Sequence, residues 1–172
     1  MNMLSFLFLV LILISQICLR EYALAEQAED QKEIEVHVKG VAVDRVLQSP
    51  VVILSNKKGD FVIPIWIGIC EARSIEMGLS DQVAPRPLTY DLLAAILRTM
   101  DAEVERVIIT DIRGGTYFAQ VEINTLGKQK WIDARPSDSI ALAVRLGVPI
   151  YVNESVIEKS AIQGRKGNEG GV

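Results

Sequence analysis

The chain has 172 residues, 49% of them hydrophobic, with 18 basic and 22 acidic side chains and a net charge of −4. That is enough apolar chain for one domain with a real core and too little for two. The acidic balance excludes a globally basic surface of the kind that grips phosphate backbones, leaving only a local patch, for example Arg86, Arg98, Arg106, Arg113 and Arg135.

Met3 to Leu19 is nearly all Leu, Ile, Phe and Val, and Ala23-Leu24-Ala25 follows as an A-x-A site. The pattern predicts a signal peptide over 1–25 and a mature chain that starts at Glu26, periplasmic or secreted. Its removal takes away only Arg20 and Glu21, so the net charge is unchanged. No Lys or Arg precedes the apolar run, and its length sits at the lower edge of a bilayer span, roughly 17–25 residues. A membrane anchor over 3–19 is therefore the competing expectation. Beyond Cys18 there is only Cys70, which excludes an internal disulfide in the mature chain, and the single His37 excludes a multi-His zinc site.

From Glu33 to Val41 polar and apolar residues alternate, the period of a strand with one wet face, and His37 belongs to that face. Residues 50–54 and 61–67 are two apolar runs around Asn56-Lys57-Lys58-Gly59-Asp60, a hairpin pattern. Pro64 has no N–H for a ladder and points to an edge or a bulge. After Gly68 the spacing becomes helical, with Ile69, Ala72, Arg73, Glu76 and Leu79 on one side and Cys70 read as a small buried hydrophobe. Leu88, Leu92, Leu93, Ile96, Leu97 and Met100 recur at three and four, the strongest amphipathic pattern in the chain. Strands follow at 104–110, 117–123 and 130–134, with turns at Arg113-Gly114-Gly115 and Gly127-Lys128. A helix from Pro136 to Leu146 ends at Gly147, then come a short strand at 149–152 and a small helix at 154–159. The polar, glycine-rich tail over 161–172 is expected to be disordered. Hairpins outnumber crossovers, so the expected fold class is α+β, a single domain over 33–160 of largely antiparallel sheet with three to four helices.

Two helix entrances share one grammar. Arg86-Pro87-Leu88-Thr89-Tyr90-Asp91 and Arg135-Pro136-Ser137-Asp138-Ser139 each set an arginine, a proline, a hydroxyl residue and an aspartate before an apolar helix. Helix starts carry unpaired N–H groups and partial positive charge. Each corner reads either as a salt-bridged cap, with Pro at the first helical position and Thr89, Ser137 or Asp138 satisfying backbone donors, or as half of a pocket. In a pocket, Arg86 and Arg135 would hold phosphate. Asp91, Asp133 and Asp138 would stay ionised beside guanidinium and could bind a divalent ion such as Mg²⁺ or Mn²⁺. Asp133 and Arg135 alternate about Ala134, so a continuing strand sends them to one side. Glu71 lies in a first helical turn, either as a dipole complement or as a further carboxylate. Tyr90 could donate to a phosphate or pack beside Leu93. There is no G-x-S-x-G, no H-E-x-x-H, no P-loop and no dinucleotide fingerprint.

The ordered set Gly68-x-x-Glu71-Ala72, Arg86-Pro87-Leu88-Thr89-Tyr90-Asp91-Leu92, Asp133-Ala134-Arg135-Pro136-Ser137-Asp138 and Pro149-Ile150 resembles the bifunctional nuclease domain family. The resemblance runs from about Ile34 to Lys159. It implies a compact α+β domain that self-associates as a homodimer, and hydrolysis of DNA and RNA by some members. It also implies a polar set of Glu71, Arg86, Asp91, Asp133, Arg135 and Asp138. The family usually carries histidine where this chain has Tyr90, and alanine at Ser139. Tyrosine, with a pKa near 10, moves protons poorly at neutral pH. The resemblance therefore leaves two expectations, a nuclease or an inactive module that binds an anionic ligand or a protein.

Overall fold

The structure is a computed structural model that describes residues 32–80, 82 and 84–160. The expected export segment at 1–25 and the tail at 161–172 lie outside the described residues. Seven strands form one sheet in the order β3-β2-β1-β7-β4-β5-β6: β1 (Glu33–Asp44), β2 (Ser49–Ser55), β3 (Val62–Trp66), β4 (Ala102–Arg113), β5 (Thr116–Thr125), β6 (Lys128–Ala134) and β7 (Ile150–Asn153). Every pairing is antiparallel except β4 with β7. Three helices, α1 (Ile69–Leu79), α2 (Thr89–Thr99) and α3 (Pro136–Leu146), and a helical stretch α4 over 154–160 complete an α+β architecture.

Turn chemistry sets the hairpins. Gly114 and Gly115 both have positive φ between β4 and β5, as a two-residue turn that follows the strand twist requires. Between β5 and β6 the same role falls to Leu126 and Gly127, φ 53° and 76°, one residue earlier than the expected Gly127-Lys128. The Asn124 side chain accepts the Gly127 N–H at 3.0 Å and ties that turn. Pro64 lies in β3, an edge strand, where its missing donor costs least.

The core is built on one face of the sheet. Val36, Ile150, Val107 and Val121 pair laterally across four strands and are all buried; Val152, Ile109 and Ala119 form a fully buried second row. Over these rows lies α3, with seven buried residues, in contact with β4 and β5 beneath it and with α1 and α2 beside it. Gly78 lets α1 come close, since a Cβ there would meet Val144 Cγ1 at 2.7 Å.

One amphipathic face stays uncovered here, and one expectation, a buried Cys70, fails. The apolar pattern of α2 does not face the core: Tyr90 and Ala94 are buried and Leu97 partly so, whereas Leu92, Leu93, Ile96 and Met100 are exposed. Cys70 is likewise exposed, because it lies in the first turn of α1 on the side away from the sheet, opposite the inward-facing Ala72 and Ile75.

Candidate functional site

α1 starts after Gly68, α2 after Leu88 and α3 after Arg135. The packing of α1 and α2 against α3 brings side chains from these three entrances together. Arg135 is the organising group. Its Nε donates to Asp138 Oδ2 at 2.6 Å, and its Nη2 donates to Asp138 Oδ1 and to Glu71 Oε1, each at 3.0 Å. Tyr90 completes the cluster from α2, donating its hydroxyl to Asp138 Oδ1 at 2.7 Å. Tyr90 thus bonds across to α3, a placement that sequence spacing did not suggest.

Local sequence explains the convergence. Pro136 at the first helical position turns the chain out of β6, so Arg135 becomes the extended N-cap residue and Asp138 lies in the first turn three residues on. The Glu71 carboxylate folds back over Gly68, into space that any Cβ would take. That close approach gives the Gly68-x-x-Glu71 pairing its physical reason, and the spacing was a signal for it.

The cluster is open to solvent: the side chains of Glu71, Asp138 and Arg135 are 17%, 33% and 68% exposed. Burial raises the Asp138 pKa, but the hydrogen bonds from Arg135 and Tyr90, with the Arg135 charge, outweigh it and hold the carboxyl below its ordinary value. The Tyr90 phenol is pushed well above 10, first by burial, then by its hydrogen bond to Asp138 and the negative charges of Asp138 and Glu71. The Arg135 pKa is raised chiefly by Asp138. Two carboxylates around one guanidinium leave the cluster with excess negative charge, so Arg135 is already occupied as an anion ligand.

The other sequence-singled residues lie elsewhere. Asp91 accepts the Leu88 N–H at 2.9 Å, and its Oδ1 lies 3.2 Å from Arg145 Nε, an ion pair without hydrogen-bond geometry. It acts as a cap with a charged partner that sequence spacing gave no sign of. Asp133 is exposed in β6, opposite Gln120 of β5, and has no hydrogen bond or ion pair among the described residues. Strand alternation stops applying at Ala134, where β6 ends. Ser137 is buried and borders, with Arg135, Trp66, Gly68 and Tyr117, a hollow of about 450 Å³. Arg86 and Thr89 border a different hollow beside α1. Of the expected basic patch, Arg106, Arg113 and Arg135 are ion-paired, so no joint cationic surface forms.

Asp91, Asp133 and Asp138 thus do not gather around one point. Among the described residues no group of three or more His, Cys, Asp or Glu is arranged to hold a metal ion. Glu71 and Asp138 are the only two of the candidate carboxylates drawn to one partner, and that partner is the Arg135 guanidinium. The side chains as arranged do not fit a multi-carboxylate metal centre.

Fold and site together define a small α+β domain with an acid–arginine–tyrosine cluster at the shared mouth of three helices. The bifunctional nuclease domain matches residues 52–165, and the chain belongs to that family. It is 38% identical over 128 residues to an uncharacterized protein of Mycobacterium tuberculosis, covering 74% of this chain and 76% of that one. It is 28% identical over 109 residues to bifunctional nuclease 1 of Arabidopsis thaliana and 25% identical over 116 residues to bifunctional nuclease 1 of Oryza sativa subsp. japonica. These matches cover 61% and 65% of this chain but only 34% and 35% of the plant proteins.

Proposed function

We propose that the domain hydrolyses phosphodiester bonds in DNA and RNA, with the cluster around Asp138 as its active centre. The observation that carries this reading is the Asp138 carboxylate, held by hydrogen bonds from Arg135 and from Tyr90 of another helix while one third of its side chain remains exposed. Membership of a nuclease-named family supports it.

In this reading Asp138 accepts the proton of an attacking water, and its low pKa makes it a weak base. Arg135 fixes its orientation. Tyr90 keeps its proton at neutral pH and serves as a donor. Glu71 holds the far side of Arg135, and Arg86, at the entrance to α2, meets the substrate phosphate. Dependence on a divalent ion belongs to the same proposal as a property to be measured; it is supported by the family resemblance and not by the carboxylate arrangement. Action outside the cytoplasm, supported by the apolar Met3–Leu19 run and the Ala23-Leu24-Ala25 site, and association as a homodimer, supported by the family resemblance, complete it.

One observation favours a second reading, a non-catalytic binding module. The position where the family usually has an imidazole holds a phenol whose pKa is raised further by its surroundings. A single experiment separates the two. Purified protein is incubated with single-stranded DNA and with RNA, in Mg²⁺, in Mn²⁺ and in chelator, beside Asp138→Ala and Tyr90→His. The nuclease reading expects cleavage that Asp138→Ala reduces by at least about a hundredfold and that Tyr90→His increases. Absence of cleavage in every arm, with nucleic acid still bound, establishes the binding module. Cleavage untouched by Asp138→Ala removes the cluster from the chemistry.

A further inference from the structure

A hollow of about 790 Å³ opens between α1 and the segment 84–89 that leads into α2. Its size is that of a pocket for a small organic molecule, roughly 300–1,000 Å³. Its lining differs in kind from the acid–arginine cluster. Half-buried Met77 and Leu88, with Pro85, give it an apolar wall; Arg73, Arg86 and Thr89 give it a polar one. Neither Arg73 nor Arg86 has a hydrogen bond, ion pair or ring contact among the described residues. Arg106, Arg113, Arg135 and Arg145 all have carboxylate partners. Two uncompensated guanidiniums bordering one concavity favour an anion there, and their planar forks match phosphate oxygens. The apolar wall of Met77, Pro85 and Leu88 beside that charge gives the face of an unstacked base a surface to cover. Arg73 carried no motif signal in the sequence, because it lies outside both Arg-Pro corners.

We propose that this hollow holds one nucleotide of a single-stranded chain, its phosphate on Arg73 and Arg86 and its base against Met77, Pro85 and Leu88. The inference rests on the nucleic-acid reading above and deepens it by naming the form of the substrate. A base within a duplex is paired and stacked and reaches such a hollow only by being extruded, so the site selects single strands.

The test is fluorescence anisotropy with the full-length protein in chelator, using a labelled oligothymidylate and the same strand annealed to oligoadenylate. The single strand is expected to bind at least about tenfold more tightly than the duplex. Arg73→Ala and Arg86→Ala are each expected to weaken single-strand binding about tenfold and to lower the slope of log affinity against log salt by about 0.7. Arg98→Ala, which removes the same charge from the far end of α2, is expected to leave affinity unchanged. Thermal unfolding of each variant, with Arg73→Gln as a second substitution, verifies that the fold persists. Equal affinity for duplex and single strand overturns the proposal, as does an Arg73→Ala protein that binds like the wild type. Displacement of the oligonucleotide by oligoglutamate through the same two arginines also overturns it, in favour of an acidic protein partner. Because the measurement excludes metal and turnover, the two readings can fail separately. Binding without cleavage under any condition removes the nuclease and leaves the subsite; cleavage and affinity both indifferent to Arg73 remove the subsite and leave the nuclease.

Discussion

Arg135 and Asp111 show how single residues tie this molecule together over long stretches of chain. Arg135 reaches Glu71, 64 positions earlier, and Asp111 accepts from Lys159, 48 positions later. Asp111 also accepts from Arg113, and the two cations, Lys159 first, bring its pKa down from 3.8 to about 2. A carboxyl whose folded pKa is depressed adds stability above its unfolded pKa and loses it as pH falls through the folded value. The Asp111 contribution is thus fully present above about pH 4 and gone near pH 2. Asp111→Asn is expected to be less stable than the wild type at neutral pH and to converge with it in that acid window. Thermal melts followed by circular dichroism across pH test this, and a constant gap down to pH 2 contradicts it.

Among the elements, α3 is the one most constrained by its neighbours. Gly78 of α1 faces Val144, a β-branched side chain with few rotamers to retreat into. Gly78→Ala is therefore expected to destabilise by about 1–3 kcal/mol through overpacking, despite the better helix propensity of alanine. Urea unfolding gives the value, and a stabilised variant would mean that the two helices separate freely.

Helix boundaries near 69, 89 and 136 were legible because Gly68, the Arg-Pro pairs and Gly147 mark them in the chain. Which face of α2 packs was not legible. Periodicity reports that Leu92, Leu93 and Ile96 share a side, but the tether of Tyr90 to Asp138 and the small Ala94 decide which side meets α3. The candidate site was half legible for a similar reason. Arg135 and Asp138 meet at one helix entrance, three residues apart, whereas Glu71 with Arg135, and Arg145 with Asp91, meet only through tertiary packing.

For the molecule as a whole the decisive element is the short β7, four residues lying between β1 and β4. Sequence marked it as a strand and gave no hint that it would be central. On the sheet face away from α3, Arg106 of β4 makes a related join, pairing with Glu33 of β1 and Glu122 of β5. Its guanidinium lies 5.4 Å from the Trp131 ring and 5.5 Å from the Tyr151 ring. Glu122 is only 3% exposed, so removing its partner leaves a buried charge. Arg106→Met is expected to cost about 3–5 kcal/mol, with part of the loss recovered when Glu122→Gln is added. Chemical denaturation of the single and double variants measures both, and a neutral single variant refutes the account.

The position of β7 also sets an order of events during synthesis. The ribosome delivers the β1–β3 meander early and the β4–β6 meander much later, yet neither can zip to the other until residue 153 has emerged. A nascent chain cut short before that point has two half-sheets with bare edges, the kind of surface that chaperones hold and that aggregates recruit.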